Sequence, residues 1–494
     1  MNNRRVRRPT GRVGVVILCV LLLGGCVVGP DYHRPEPGKV PDQWKAQPPW
    51  KQGTPRDAEL KQNFWEVFSD PILSALEMEA TTNSPDVRAA FERVEEARAI
   101  ARVTRSELFP AASFDPNGNR THYSAKRTVE PGSTVTGYTG NEFFLPFDLS
   151  YEVDLWGRVR RSFRSARETA QANAAAYQNI LLSLQAQIAQ TYFTIRSVDL
   201  DRWVVGQSIG LRQTNLNLVE SLHKGGADSA LDLAEAQTEL ATAQADLLGL
   251  NLQRARLENM LGTLCGQPAS TFSLAESSRI YRPPAIPVGL PSDLLERRPD
   301  VAAAERSMAA ASEGIGVAKA AFFPSIQLTA AAGTESVDLK DVFSWESRAW
   351  SIGPNITFPL FEGGRLRADL QRARSAYEES IAQYRSQVLV AFHEVEDGLI
   401  GVRLLKEQFD TQMKAVDGAK KVAELSRLRY KEGLTSYLEV VVADRTLLDN
   451  EVTAYQLNGE GMVTTVQLIK ALGGGWTTNA PMMTNSVALL EKKK

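Results

Sequence analysis

Asp232 and Glu235 stand three residues apart, just beyond the turn Gly225-Gly226. On a helix that spacing sets both carboxylates on one face, and acids in a first turn also favour a helix N-terminus. Neither role is bond chemistry. The chain's other reactive types are scattered: its four histidines are His33, His122, His223 and His393. His393-Glu394-Val395-Glu396-Asp397 has the opening of a zinc-protease helix, but Asp397 occupies the place of the second histidine ligand. Gly363-Gly364-Arg365 is not a phosphate loop; it ends a strand and opens a helix. No catalytic residue, metal or cofactor is expected. What remains is electrostatic work by carboxylates at a turn.

The elements that hold that turn are long. Phe143, Leu145, Phe147, Leu149, Tyr151, Val153 and Leu155 alternate with Asp148, Ser150, Glu152 and Asp154. Period two predicts a strand with one apolar and one polar face. After Trp156-Gly157 the period changes. Tyr177, Leu181, Leu184, Ile188, Tyr192, Ile195 and Val198 step by three or four, the stripe of an amphipathic helix. No proline interrupts residues 157–224, so one helix of roughly 100 Å is expected at about 1.5 Å per residue.

The chain then repeats itself. Ser84-Pro85-Asp86-Val87 returns as Arg298-Pro299-Asp300-Val301, an offset of 214, and Leu108-Phe109-Pro110 returns as Phe322-Phe323-Pro324 at the same offset. Gly157-Arg158-Val159-Arg160 returns as Gly364-Arg365-Leu366-Arg367 at an offset of 207. The second stripe, Tyr384, Val388, Ala391, Val395, Leu399, Val402 and Leu405, keeps the 207 offset, as do the turn glycines Gly226 and Gly433. Gly157 and Gly364 are thus the two strand-to-helix junctions. Glu439 corresponds to Asp232, and Val442 to Glu235.

Five arginines precede the apolar run at residues 13–23, followed by Leu23-Gly24-Gly25-Cys26. This pattern predicts a secretory signal, cleavage before Cys26 and lipid on that cysteine. Val27, rather than an aspartate, follows Cys26 and directs the lipoprotein to the outer membrane. Only Cys265 then remains, so no intrachain disulfide is expected. The mature balance is 51 Lys+Arg against 58 Asp+Glu, which advertises no nucleic acid. No later apolar run reaches the length of a membrane helix, so any crossing must be made by strands.

The expected organisation is a signal peptide at 1–25, an extended lipid-anchored tether at 26–56, a first repeat at 57–268, a proline-rich linker at 269–291, a second repeat at 292–475 and a loose tail at 476–494. Each repeat brings two membrane-length strands: 112–123 and 143–155, then 325–332 and 350–360. Four strands cannot close a membrane barrel, and open edges are not tolerated in lipid. The barrel must therefore be shared between chains, and the pattern alone leaves their number open.

Residues 291–301 (Pro-Ser-Asp-Leu-Leu-Glu-Arg-Arg-Pro-Asp-Val), 321–326 (Ala-Phe-Phe-Pro-Ser-Ile), 360–365 (Leu-Phe-Glu-Gly-Gly-Arg) and Val-Gly-Pro-Asp-Tyr at 28–32 resemble the TolC-like outer-membrane efflux factors. The match is to the lipoprotein branch that serves resistance-nodulation-division (RND) pumps. The resemblance implies a mixed α/β membrane protein. It would be a homotrimer with a twelve-stranded outer-membrane β-barrel, four strands per chain, continued by a long periplasmic α-helical barrel. It also implies a periplasmic adaptor and an inner-membrane RND transporter as partners, with outer-membrane lipid around the barrel. Tyr430 matches the family tyrosine that holds the inner end shut, and Asp232 the acid such a tyrosine bonds. The chain departs from the family at Val442, where relatives carry a second acid, and at Thr435, where some carry a gating arginine. Under threefold symmetry Asp232, Glu235 and Glu439 would form rings, which in a narrow mouth favour cations. Val440-Val441-Val442 offers a dry constriction instead. The implied function is a passive exit duct. A duct for type I protein secretion and a non-conducting, lipid-anchored coiled-coil scaffold are the alternatives.

Overall fold

A computed structural model describes residues 27–41, 43–45, 63–126, 136–227, 229–286 and 297–474. The expected signal peptide, Cys26, part of the tether and linker, and the tail lie outside the described residues. The chain divides into two compact units: residues 1–36, 94–172 and 305–383, and residues 37–93, 173–304 and 384–494.

In chain order the elements are α1 (Pro71–Asn83), α2 (Pro85–Ser106), β1 (Ala111–Phe114), β2 (Asn117–Tyr123), β3 (Tyr138–Glu152), α3 (Arg158–Lys224) and α4 (Ala230–Leu264). The second repeat gives α5 (Pro299–Ala320), β4 (Ser325–Ser336), β5 (Arg348–Thr357), α6 (Arg365–Lys431) and α7 (Tyr437–Ala471). The repeat is metric as well as verbal: α3 and α6 both have 67 residues, and α4 and α7 both have 35. Gly157 and Gly364, at φ +80° and +89°, immediately precede the two long helices.

The first unit is organised on an antiparallel sheet in the order β1–β3–β4–β5, with β2 also on β3. The first expected strand is broken. β1 and β2 lie end to end along one edge of β3, interrupted at Asp115-Pro116, where proline offers no donor to the ladder. Period two fixes the faces. Phe114, Phe147, Ala332 and Trp350 share one row across the sheet, and Ala112, Leu149, Ala330 and Ile352 share another. Phe147, Leu149, Trp350 and Ile352 are all exposed. The opposite face carries Ser113, Asp148, Ala331 and Ser351, then Glu152, Gln327 and Asn355. Gly333 lies opposite Pro146 because nothing larger fits: a Cβ there would fall 2.1 Å from the Leu145 carbonyl oxygen. Among the described residues, no further strand pairs with the outer edges of β1, β2 or β5.

The second unit is helical. Its main core joins Phe64, Trp65, Phe68 and Leu73 to Ile188, Tyr192 and Ile195 of α3, Val395 and Leu399 of α6, and Met462 and Val466 of α7. Ile188, Tyr192, Ile195, Val395 and Leu399 come from the predicted stripes, with Leu184 and Val402 packed against them. Cys265 is free and buried here, and burial pushes its thiol up to about 12. Two clusters of polar groups lie inside this unit. Asp70 caps α1 through the amides of Ile72 and Leu73, and also accepts from the hydroxyls of Tyr192 at 2.6 Å and Tyr281 at 2.7 Å. Asp199 accepts from Arg196 and Arg254, while those guanidinium groups donate to the carbonyls of Ala275 and Leu274. The linker is thereby stitched to α3 and α4.

Candidate functional site

The two helical turns of the second unit close in the same way. Gly226 and Gly433 adopt φ +76° and +71°, a left-handed conformation that glycine enters without a Cβ clash. The following amides reach back over the helix end, Ala227 to the Leu222 carbonyl at 2.9 Å and Leu434 to that of Arg429 at 2.8 Å. Such closures satisfy the last helix carbonyls. The returning helices differ. Ser229 and Asp232 form a reciprocal capping box on α4: the Asp232 amide donates to Ser229 Oγ at 3.2 Å, and the Ser229 amide donates to Asp232 Oδ2 at 3.1 Å. Ser229 Oγ also donates to that carboxylate at 2.6 Å. Ser436 heads α7 without a side-chain cap.

A second, smaller core sits beside these turns. It gathers Leu216, Val219, Ala236, Leu240, Tyr437, Val440 and Val441, with Tyr430 packed against it. Tyr430 meets Tyr437 in a tilted ring contact at 5.5 Å. Val440 and Val441 belong to this core, so of the three valines only Val442 is exposed. Glu439 is half-exposed and faces Arg429 at 3.6 Å. Glu235 is partly covered and acts electrostatically on Tyr437 and Arg445.

Above this core lies an ionic network that sequence reading missed. Arg212 of α3 donates to Glu239 of α4 at 2.6 Å, and each side chain is 7% exposed. Arg445 of α7 reaches the other Glu239 oxygen. Next to it, Asp444 of α7 accepts from Arg427 of α6 at 2.6 Å and from Asn215 of α3 at 3.3 Å. The contacts of α7 with Glu239 and Asn215 therefore cross between hairpins, and that with Arg427 stays within the second. Burial raises the Asp444 carboxyl above its ordinary range, with Arg427 opposing that shift. Burial, then the acids Asp444 and Glu239, push the Tyr437 hydroxyl up to about 12. A signal did exist in the sequence. Glu239 follows Ala236 by three, and Asp444 follows Val440 by four, so both acids fall within apolar stripes and require partners.

The described residues hold no group of acids, histidines or cysteines placed to bind a metal, and none of their helices is long and apolar enough to cross a membrane. His393 pairs with Asp397 at 3.0 Å on an exposed helix face.

An edge-open sheet with an aromatic face, set in a chain of duplicated long hairpins closed by matched turns, defines a TolC-like outer-membrane channel. Comparison with known proteins agrees. The chain matches the family described as "Outer membrane efflux protein" over residues 76–267 and 290–474. It is 34% identical over 467 residues to the solvent efflux pump outer membrane protein SrpC of Pseudomonas putida, covering 94% of this chain and 98% of that one. It is 31% identical to outer membrane protein OprJ of Pseudomonas aeruginosa, covering 95% and 97%. The solved outer-membrane channel OprN superposes with a TM-score of 0.85 at 29% identity, over 91% of this chain and all of that one. The chain belongs to the outer membrane efflux protein family. It is an outer-membrane efflux channel, and its family is one of transport ducts.

Proposed function

We propose that three copies of this chain form the exit duct of a tripartite pump, receiving drugs or other small molecules from an inner-membrane RND transporter through a periplasmic adaptor. The single observation that carries this reading is the sheet: one apolar, aromatic face, one polar face, and two edges with no partner among the described residues. Lipid does not tolerate such edges. Three copies would supply four spans each and close a barrel wide enough for a wet lumen. Asp148, Glu152, Gln327 and Asn355 would line it, and Phe147, Leu149, Trp350 and Ile352 would meet lipid. The duct does no bond chemistry, uses no cofactor and draws its driving force from the inner-membrane partner.

The inner end closes at the helical turns. Asp232, Glu235 and Glu439 form its acidic rim, Val442 its apolar contribution, and Tyr430 reaches Asp232 of a neighbouring hairpin in the resting state. Cys26 carries the lipid. Purified protein in planar bilayers tests the duct. Discrete conductance together with heat-modifiable migration on gels is expected, and a water-soluble monomer without conductance defeats the reading. Radioactive fatty acid should label the wild type and not Cys26→Ala; label retained on the variant refutes the lipid.

A further inference from the structure

The repeat gives the chain two strand-to-helix junctions, and they are not alike. At the first, residues 27–31 lie in a socket of the first unit. The Val28 amide donates to the Trp156 carbonyl at 3.1 Å. A Cβ on Gly157 would stand 2.9 Å from Val27 Cγ1. Gly29 crosses α5 so closely that a Cβ on it would fall 2.7 Å from Gly316 Cα. A Cβ on Gly316 would in turn fall 2.1 Å from Arg161 Cδ. Arg161 forms the floor, its side chain only 1% exposed. It donates to the Pro30 carbonyl at 3.0 Å and to Glu313 at 2.9 Å, with Asp31 at 3.6 Å. Trp156, which receives the Val28 amide, is itself held: its indole donates to the Pro324 carbonyl at 2.8 Å and stacks on Phe323 at 4.6 Å.

The second junction keeps the glycine and the phenylalanine but lacks the polar floor and the small-residue crossing. The 207 offset takes Arg161 to Ala368, and the 214 offset takes Glu313 to Ala99, Gly316 to Arg102 and Phe323 to Phe109. Gly364, the counterpart of Gly157, has nothing within 4 Å of its Cβ position. The chain has one N-terminus and one socket. Arg161, Glu313 and Gly316, which form the socket for residues 27–31, are each replaced at the second junction.

The contacts also explain why the segment stays put. A buried guanidinium is costly unless its donors are met. Pro30 and Asp31 supply part of what Arg161 needs, so lifting the segment leaves Arg161 with Glu313 alone. The crossing of Gly29 over Gly316 is main chain on glycine, which admits no side chain at either surface. Residue 26, the cysteine expected to be acylated, is the next residue toward the N-terminus, and β3 ends only four residues before Trp156.

We propose that the first junction is the receptor for the chain's own processed N-terminus: Gly157, Arg161, Glu313 and Gly316 capture residues 27–31, so that the anchor leaves the body at the foot of the sheet without slack. The anchoring clause rests on the lipid reading of Cys26; the capture does not.

Hydrogen exchange followed by mass spectrometry on the purified full chain in detergent tests it. The Val28 amide, which donates to Trp156 and is read in the wild-type peptide beginning at residue 26, should exchange slowly. Gly29→Val, which alters only the captured segment, should speed that exchange by about tenfold or more, and Arg161→Ala should do the same from the body side. Peptides of β3 should not change in Gly29→Val, which separates release from unfolding. Unprotected exchange in the wild type, or unchanged exchange in Gly29→Val, overturns the proposal. Cys26→Ala should keep the protection, so failure of fatty-acid labelling would remove the lipid alone and leave the capture standing.

Discussion

Glu239 accepts from Arg212 and from Arg445, so one carboxylate joins the first hairpin to the second. The Arg212 pair lies almost wholly out of water, where losing one partner leaves an uncompensated charge and costs about 3–5 kcal/mol. Glu239→Ala should therefore lower the unfolding midpoint by several degrees. It should also raise single-channel conductance, because the hairpins lose their tie near the turns. A melt unchanged from wild type would show that the network contributes nothing.

Asp232 separates two roles that conductance can tell apart. As a helix cap it contributes about 1 kcal/mol to α4. As half of a latch with Tyr430 it would also hold the duct shut. Tyr430→Phe combined with Asp232→Ala should raise conductance in planar bilayers well beyond Ser229→Ala, which removes the cap and leaves the carboxylate. Equal conductance in the two variants would reduce Asp232 to a cap.

Asp201 of α3 is buried, with Oδ1 unpartnered and Oδ2 accepting from Gln456 at 3.2 Å. Burial pushes its carboxyl up to about 6, against an ordinary 3.8. The folded state therefore holds this proton more tightly than the unfolded state. Its contribution to stability is fully present below the ordinary value and is lost as pH rises through about 6, a loss of about 2–3 kcal/mol. Asp201→Asn should gain stability at pH 7.5 relative to wild type and lose that advantage near pH 4. Thermal melts across this range measure it; a parallel pH profile in both proteins counts against the assignment.

Gly333 is required where β4 passes Pro146, since a Cβ would meet the Leu145 oxygen. Gly333→Val should abolish the heat-modifiable form and conductance while leaving most helical circular dichroism in place. Normal pores from this variant would mean that the β3–β4 register yields more readily than the contact implies.

The sheet was legible because membrane strands have two faces of opposite chemistry. Phe147 and Leu149 against Asp148 and Ser150 declared their sides, and the ladder to Ala332 and Trp350 bears out the alternation. The break at Asp115-Pro116 was less so, since Gly118 and Asn119 carry little face information. Helix lengths were legible from the repeat, because insertions would have shifted the 207 offset. The turns were only half legible. Ser229 and Asp232 have the spacing of a capping box, but position at a turn does not by itself distinguish an acid that bonds its own helix from one that faces a neighbour. The Arg212, Glu239 and Asp444 network and the Arg161 socket join residues far apart in the chain. No local period reports such pairs; only a charge inside an apolar stripe hints at them.

The outer margins of β1, β2 and β5 are unfilled within the described chain. An unfilled strand margin is a template for another strand, so in the proposed trimer each subunit would be completed by its neighbours and would complete them in return. Genetic damage to this surface would then be shared. An allele that spoils one margin would act dominantly, because a single faulty subunit leaves a seam in every ring that includes it, however many sound subunits the cell also makes.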